Sequence, residues 1–290
     1  MRAELRKRNH VPRRTGVLVA TRRDSDGRML APVKINGQGP FEFIVNTGAT
    51  RSALGESVVR RLRLSLDAEF PILVHGVTGS SCVPTVRVDS MTLGPLRASA
   101  IALPVLGNTL GSADGFLSLT DFVTERILID MQRNRMVLPQ GVGPLGAFHG
   151  GVDLRMDPAH QHVVVIDTRI HGIAVKAVVD TGAQCALGSL ALRRAITLQH
   201  LNASNHIEVA GASERGKIST PHLLPALELG SLRILGAQIV YGELPLFEYL
   251  GWTSTPAMLL GMDILGQFES VLLDYTNRLI RLQPRIRGKR

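Results

Sequence analysis

Two short polar turns hold the side chains with the clearest chemical potential, and they share one pattern: Asn46-Thr47-Gly48 and Asp180-Thr181-Gly182. Each turn follows an apolar stretch. The Asp180 carboxylate can accept and deliver a proton, whereas the Asn46 amide has nearly the same shape but cannot do so near neutral pH. Glycine lets backbone groups approach closely. Two carboxyls at these matched positions would suit general acid-base catalysis, but this chain offers one carboxyl and one amide.

The segments around the two turns repeat along the chain. Residues 41–55 align with residues 175–188, and each is followed by an amphipathic stretch, residues 56–64 and 189–196, that predicts a short helix. A β-rich region with a glycine-centred hairpin comes next in both copies. Both copies then close alike, with residues 114–131 resembling residues 257–275. The chain is therefore interpreted as an internal repeat.

These two copies resemble the aspartic protease clan, specifically two retropepsin-type halves fused in one chain, over about residues 31–283. The resemblance implies an all-β, two-lobed molecule, a double retropepsin-like β-barrel with few short helices, whose two turns meet at a pseudo-twofold axis. The expected organisation is a basic N-terminal tail (1–28), a first lobe (29–138), a Gly- and Pro-rich linker (139–151), a second lobe (152–283) and a basic C-terminal tail (284–290).

The resemblance also implies roles for individual residues. Asp180 and Asn46, which stands at the position of the first catalytic aspartate, form the expected catalytic pair. The Thr47 and Thr181 hydroxyls tie the two loops together, and Gly48 and Gly182 let backbone N–H groups approach the carboxylates. The apolar segment that ends at Gly261 passes behind the second loop. In the first copy, Ser118 stands where this segment is expected to have glycine. The expected substrate-binding flaps contain Gly76, Val77, Thr78, Gly79, Gly211, Ala212 and Ser213.

The implied reaction is peptide-bond hydrolysis by two carboxyls that share one proton, one acting as base on a water and the other polarising the scissile carbonyl. Because Asn46 cannot fill either role, an endopeptidase built this way is expected to be inactive or strongly impaired in this chain. Two alternatives are a peptide-binding pseudoprotease and a homodimeric protease that uses Asp180 from two chains. Asn46 itself is open to interpretation as an engineered replacement or as natural degeneration, and Ser118 as a second departure favours the latter.

The composition limits the classes of partner that the chain is expected to bind. The chain has 290 residues and a net charge of +9, but residues 1–28 and 281–290 carry the excess, leaving 19 basic and 21 acidic residues between them. Nucleic acid is therefore not an expected partner, and a peptide or protein substrate is. The glycine patterns at 141–146 and 211–217 lack the helix context of a nucleotide site. We expect a monomer, with a homodimer as the alternative.

Several other classes of protein are not supported by the sequence. The two cysteines and scattered histidines lack metal-ligand spacing, so neither a metal nor a cofactor is expected. No Gly-x-Ser-x-Gly or His-Glu-x-x-His motif indicates a serine or metal hydrolase. No apolar run is long enough for a membrane span, and residues 17–20 are too few for a signal-peptide core. The expectation is a soluble protein, cytoplasmic by default and exported if the N-terminus has been trimmed.

Overall fold

The structure, a computed structural model, describes residues 16–77, 79–107, 110–122, 126–139, 151–160, 163–196, 206–210 and 215–285. These residues form curled sheets with a few short helices, which confirms the predicted all-β, two-lobed fold. The flap residues Thr78, Gly211, Ala212 and Ser213 lie outside the described residues.

The side chains of β4 alternate between two faces: Phe41, Phe43 and Val45 belong to the main core, while Ile44 is buried in a second apolar cluster. In chain order the strands of the first half are β1 Gly16–Ala20, β2 Arg22–Arg23, β3 Met29–Ile35, β4 Gln38–Asn46, β5 Ala53–Gly55, β6 Leu66–His75, β7 Ser80–Leu93, β8 Leu96–Leu106, β9 Gly115–Ser118, β10 Arg126–Asp130 and β11 Arg135–Pro139. Among the described residues, β2 to β9 form an eight-stranded sheet in the order β2-β3-β4-β9-β5-β8-β7-β6.

The second half repeats this plan with shorter pieces, since Pro221 and Pro225 interrupt a region that is one long strand, β7, in the first half. Its strands are β12 Val152–Arg155, β13 Val165–Ile170, β14 Ile173–Val179, β15 Leu187–Ser189, β16 His206–Ala210, β17 Arg215–Ser219, β18 His222–Leu223, β19 Leu227–Leu229, β20 Leu232–Ile234, β21 Gln238–Gly242, β22 Ala257–Leu260, β23 Phe268–Asp274 and β24 Leu279–Pro284. In the described residues, β13–β15 and β18–β22 form the second eight-stranded sheet.

The strands around the two turns pair in the same way in both lobes. In the first, β4 pairs antiparallel with β3 and parallel with β9, while β5 pairs antiparallel with β9 and parallel with β8. In the second, β14, β13, β22, β15 and β21 repeat these four relations in the same order. The two lobes therefore place their turns at equivalent strand ends.

A six-stranded sheet, ordered β1-β11-β10-β23-β24-β12 in the described residues, joins the two lobes. Within this sheet the lobes meet at the antiparallel pair β10–β23, where Arg126 lies opposite Asp274 and forms an ion pair with it at 2.7 Å. Strand β1 forms one edge, although residues 16–28 were expected to belong to a solvated tail. That expectation is wrong for these residues because β1 pairs along its length with β11 and buries Val19 in the core.

Short helices cover the ends of the sheets. Helix α1 (Glu56–Leu62) and helix α2 (Leu190–Ala195) fall within the two amphipathic stretches, which confirms both predictions. Three further elements were not predicted from the sequence: a 3₁₀ turn at Leu119–Asp121, α3 (Pro245–Tyr249) and α4 (Met262–Leu265). Both predicted hairpins form, as β6–β7 and β16–β17.

Candidate active site

The two turns meet at the centre of the molecule, one from each lobe. Asn46 is the last residue of β4 and lies beside Ser118 of β9 in the parallel ladder. Asp180 directly follows β14, and its N–H donates to the Leu260 carbonyl of β22. Each polar side chain thus emerges from a strand held on both sides, which is the kind of rigid support that a precise site needs.

Reciprocal hydrogen bonds lock the two loops together. The Thr47 hydroxyl donates to the Val179 carbonyl at 2.6 Å, and the Thr181 hydroxyl donates to the Val45 carbonyl at the same distance. Each hydroxyl also accepts the other threonine's backbone N–H, at 3.1 and 3.2 Å. Both threonines are buried, so these four bonds satisfy polar groups that would otherwise be costly to bury.

The two glycines are required by contact between the loops. Each glycine N–H donates within its own turn, Gly48 to Asn46 Oδ1 at 2.9 Å and Gly182 to Asp180 Oδ1 at 2.7 Å. A Cβ on Gly48 would lie 2.6 Å from Asp180 Cγ, and one on Gly182 would lie 2.5 Å from Asn46 Cγ. Asn46 and Asp180 therefore each pack against the glycine of the opposite loop, a constraint that the sequence alone does not show.

Asp180 is a buried carboxyl in an environment with competing influences. Burial is the largest and raises its pKa to about 6, while hydrogen bonds from the backbone N–H groups of Gly182, Ala183 and Gly48, and then the charge of Arg28, act in the lowering direction. Because position 46 carries no like charge, the Asp180 carboxylate forms more easily than in a pair of carboxyls. Burial nevertheless has the larger effect on its pKa. Near neutral pH the group is mostly ionised and can still accept a proton within the physiological range.

The departure at Ser118 has a local structural reason. In the second lobe, a Cβ on Gly261 would lie 2.5 Å from the Cys185 carbonyl, so only glycine fits there. In the first lobe, by contrast, the Ser118 hydroxyl donates to the Ala49 carbonyl at 2.6 Å. The first lobe therefore accommodates a side chain at the position where the second lobe excludes one.

The two turns form the floor of a cleft of about 540 Å³ between the lobes. The β6–β7 hairpin covers it, with Gly76 and Val77 among the lining residues and Gly79 accepting the Gly76 N–H at its base. Val77 packs against an apolar cluster of the second lobe, and His75 stacks on Tyr249 of α3 with ring centroids 4.3 Å apart. The first-lobe hairpin therefore spans the cleft and contacts both walls.

Two lining residues that the sequence did not single out, Arg28 and Val163, occupy equivalent positions in the two lobes. The β3–β4 register pairs Leu30 with Ile44, and continuing it by two residues places Arg28 opposite Asn46. The β13–β14 register likewise continues to place Val163 opposite Asp180. A register argument could have found these positions, but only once the hairpin pairing was known.

A comparison with protein-family models gives one match, to a family described as aspartyl protease, over residues 31–119. That stretch contains most of β3, all of β4 to β9 and the Asn46-Thr47-Gly48 turn. The match supports a protease-type function. A comparison with curated proteins gives no match.

Within the described residues, no His, Cys, Asp and Glu side chains gather in a group of three or more that could hold a metal ion. No helix in that part of the chain is long and apolar enough to cross a membrane.

Proposed function

We propose that this chain is an aspartyl-protease-type protein, formed from two fused retropepsin-like halves, whose cleft binds an extended polypeptide and whose hydrolytic step is strongly impaired. The observation that carries the proposal is the pair of interlocked turns on the floor of one covered cleft. Asn46 and Asp180 occupy matched positions there, each against the opposite glycine. Hydrolysis needs a second titratable group that Asn46 does not supply.

Asp180 retains half of the required chemistry. As a carboxylate it can take a proton from an attacking water, and three backbone N–H groups hold it in place. Polarisation of the scissile carbonyl then falls to the Asn46 amide, which can donate a hydrogen bond but cannot transfer a proton. General acid-base assistance contributes about 10²- to 10⁴-fold to a rate, so the expected impairment is of that order.

The interlocking of the loops favours one chain as the working unit. Thr181 bonds to Val45 and Thr47 of its own chain. A second chain that brought its own Asp180 loop to the axis would have to displace the first-lobe loop and break these bonds. The homodimeric alternative therefore requires a rearranged site, whereas the monomeric arrangement uses the site as it stands.

Peptide cleavage by three versions of the chain tests the proposal: the unmodified protein, Asn46→Asp, and Asn46→Asp combined with Asp180→Asn. Each is assayed with a mixed library of extended peptides from pH 3 to pH 7. Hydrolysis that rises at least about 100-fold in the first variant and disappears in the second supports the proposal. If every version binds peptides and none hydrolyses them, the chain is a peptide-binding protein without protease chemistry. Hydrolysis by the unmodified chain that increases with protein concentration would favour the homodimer.

A further inference from the structure

The cleft is asymmetric at a second pair of positions that the repeat makes equivalent, next to Asn46 and Asp180. Arg28 and Val163 are equivalent by register, and both line the cleft beside the central pair. One is a cation and the other an aliphatic side chain. A polypeptide that crosses the central pair therefore meets a charged wall on one side and an apolar wall on the other.

Arg28 is held in place by the turn that precedes β3. The Asp24 carboxylate accepts the Arg28 Nε–H at 2.8 Å and also the backbone N–H groups of Asp26 and Arg28. Asp24 is almost fully buried, with 2% of its side chain exposed. The guanidinium is consequently fixed at the cleft wall before any ligand arrives, which lowers the entropy cost of binding.

The guanidinium keeps hydrogen-bonding capacity for a ligand. Its contacts among the described residues are Nε with Asp24 and Nη2 with Asp26 at 3.1 Å. A guanidinium has five N–H donors, so those of Nη1 remain available. The Arg28 side chain is 13% exposed and that of Asp26 is 39% exposed, so Asp26 is the partner that can move into water and be replaced at Arg28 by a ligand carboxylate.

The opposite wall is apolar and comes from the second lobe. Val163 packs with Leu246 and Leu250 against the cluster that also receives Val77 from the hairpin. Residues of α3 supply part of this wall. The wall suits an aliphatic or aromatic side chain and offers no counter-charge to an acidic one.

We propose that the cleft selects and orients its polypeptide by charge, with a carboxylate of the peptide beside Arg28 and an apolar side chain against Val163 and α3. This inference rests on the proposed function. The carboxylate can belong to an Asp or Glu side chain or to the peptide's C-terminus, since a guanidinium binds both through the same paired hydrogen bonds.

Equilibrium binding to the unmodified chain tests the proposal, because impaired hydrolysis keeps the peptides intact. One arm uses fluorescent apolar octapeptides with both ends blocked and a single Glu or Gln moved through each position. The other arm uses a peptide without acidic residues, with its C-terminus either free or amidated. At one register, the carboxylate form should bind about tenfold more tightly than its neutral partner. The arm that shows the preference identifies the source of the carboxylate.

Matched variants locate the preference. Arg28→Gln should reduce it to less than about twofold, and Arg28→Lys should keep part of it, because Lys retains the charge but not the planar fork. Arg51→Gln removes the other arginine that lines the cleft and should leave the preference intact. Thermal unfolding of each variant reports its folding. Independently of any substitution, the preference of the unmodified chain should shrink between 50 and 500 mM NaCl as charges are screened.

The outcomes separate the two proposals. Failure of every peptide to bind overturns the proposed function and this inference together. Binding without discrimination between carboxylate and neutral peptides overturns the inference alone. A preference that survives Arg28→Gln, disappears in Arg51→Gln or ignores salt also overturns it.

Discussion

An Asp180→Asn substitution should stabilise the protein at neutral pH and lose that advantage in acid. Burial raises the pKa of Asp180 to about 6 from an ordinary value of 3.8, so the folded state holds the proton more tightly than the unfolded chain. The stability that the protonated group contributes is present at low pH and is lost as the pH rises through the folded pKa. The free energy of unfolding should therefore fall between about pH 4 and pH 6 in the unmodified chain.

The pKa difference sets the size of the effect. At 1.36 kcal/mol per unit, the shift corresponds to about 3 kcal/mol over the full titration, most of which falls between pH 4 and pH 7.5. Asn at position 180 does not titrate, so any change in its hydrogen bonds alters the free energy of unfolding by the same amount at both pH values. Urea unfolding of both proteins at these two pH values measures the effect. Between pH 4 and pH 7.5 the variant should gain about 2–3 kcal/mol relative to the unmodified chain.

A matched control is Asp89→Asn, which removes an exposed carboxylate and relieves no burial cost. For Asp180→Asn, an unfolding free-energy difference that stays the same at both pH values would refute the reasoning. So would a carboxyl titration by NMR that places the pKa of Asp180 near 3.8, because burial would then not be the dominant influence on this group.

Two further predictions concern the packing of the loops. Thr47→Val removes the hydrogen bonds with Val179 and Thr181 and should lower the free energy of unfolding in urea by about 2–3 kcal/mol. Thr47→Ser keeps the hydroxyl and should retain most of that stability. Equal losses in the two variants would contradict the hydrogen-bond argument. Ser118→Gly should cost only about 1–2 kcal/mol, but Gly261→Ser should cost about 3 kcal/mol or prevent folding, because its Cβ meets the Cys185 backbone; a reversed order would contradict this packing explanation.

The fold class could be predicted from the sequence because its signals are local and occur twice. The apolar alternation before Asn46 and before Asp180, and the amphipathic stretches that became α1 and α2, depend on neighbouring residues alone. Repetition then indicated which segments were equivalent. The pairing of β4 with β9, and of β14 with β22, agrees with the equivalence of the two closing segments.

Features that depend on distant pairing could not be predicted in the same way. Strand β1 lies in an Arg-rich region whose charge suggested a tail, and only its pairing with β11 makes it a strand. Arg28 faces the cleft because Asp24 fixes the preceding turn. Counting charges does not reveal this contact, because it assigns both residues to the same basic tail. Helix α3 occupies a connection that is shorter in the first lobe, so the repeat gave no precedent for it.

The shared six-stranded sheet makes the order of synthesis matter. Strand β10 finds its neighbour β23 only after a further stretch of chain, with the paired residues Arg126 and Asp274 separated by 148 positions. At about 5–20 residues per second, ribosomal synthesis leaves that edge unpaired for roughly 7–30 s. An unpaired strand edge is a template for pairing with another chain. The same strand that unites the lobes in the finished protein therefore makes the nascent first half prone to association with a second copy.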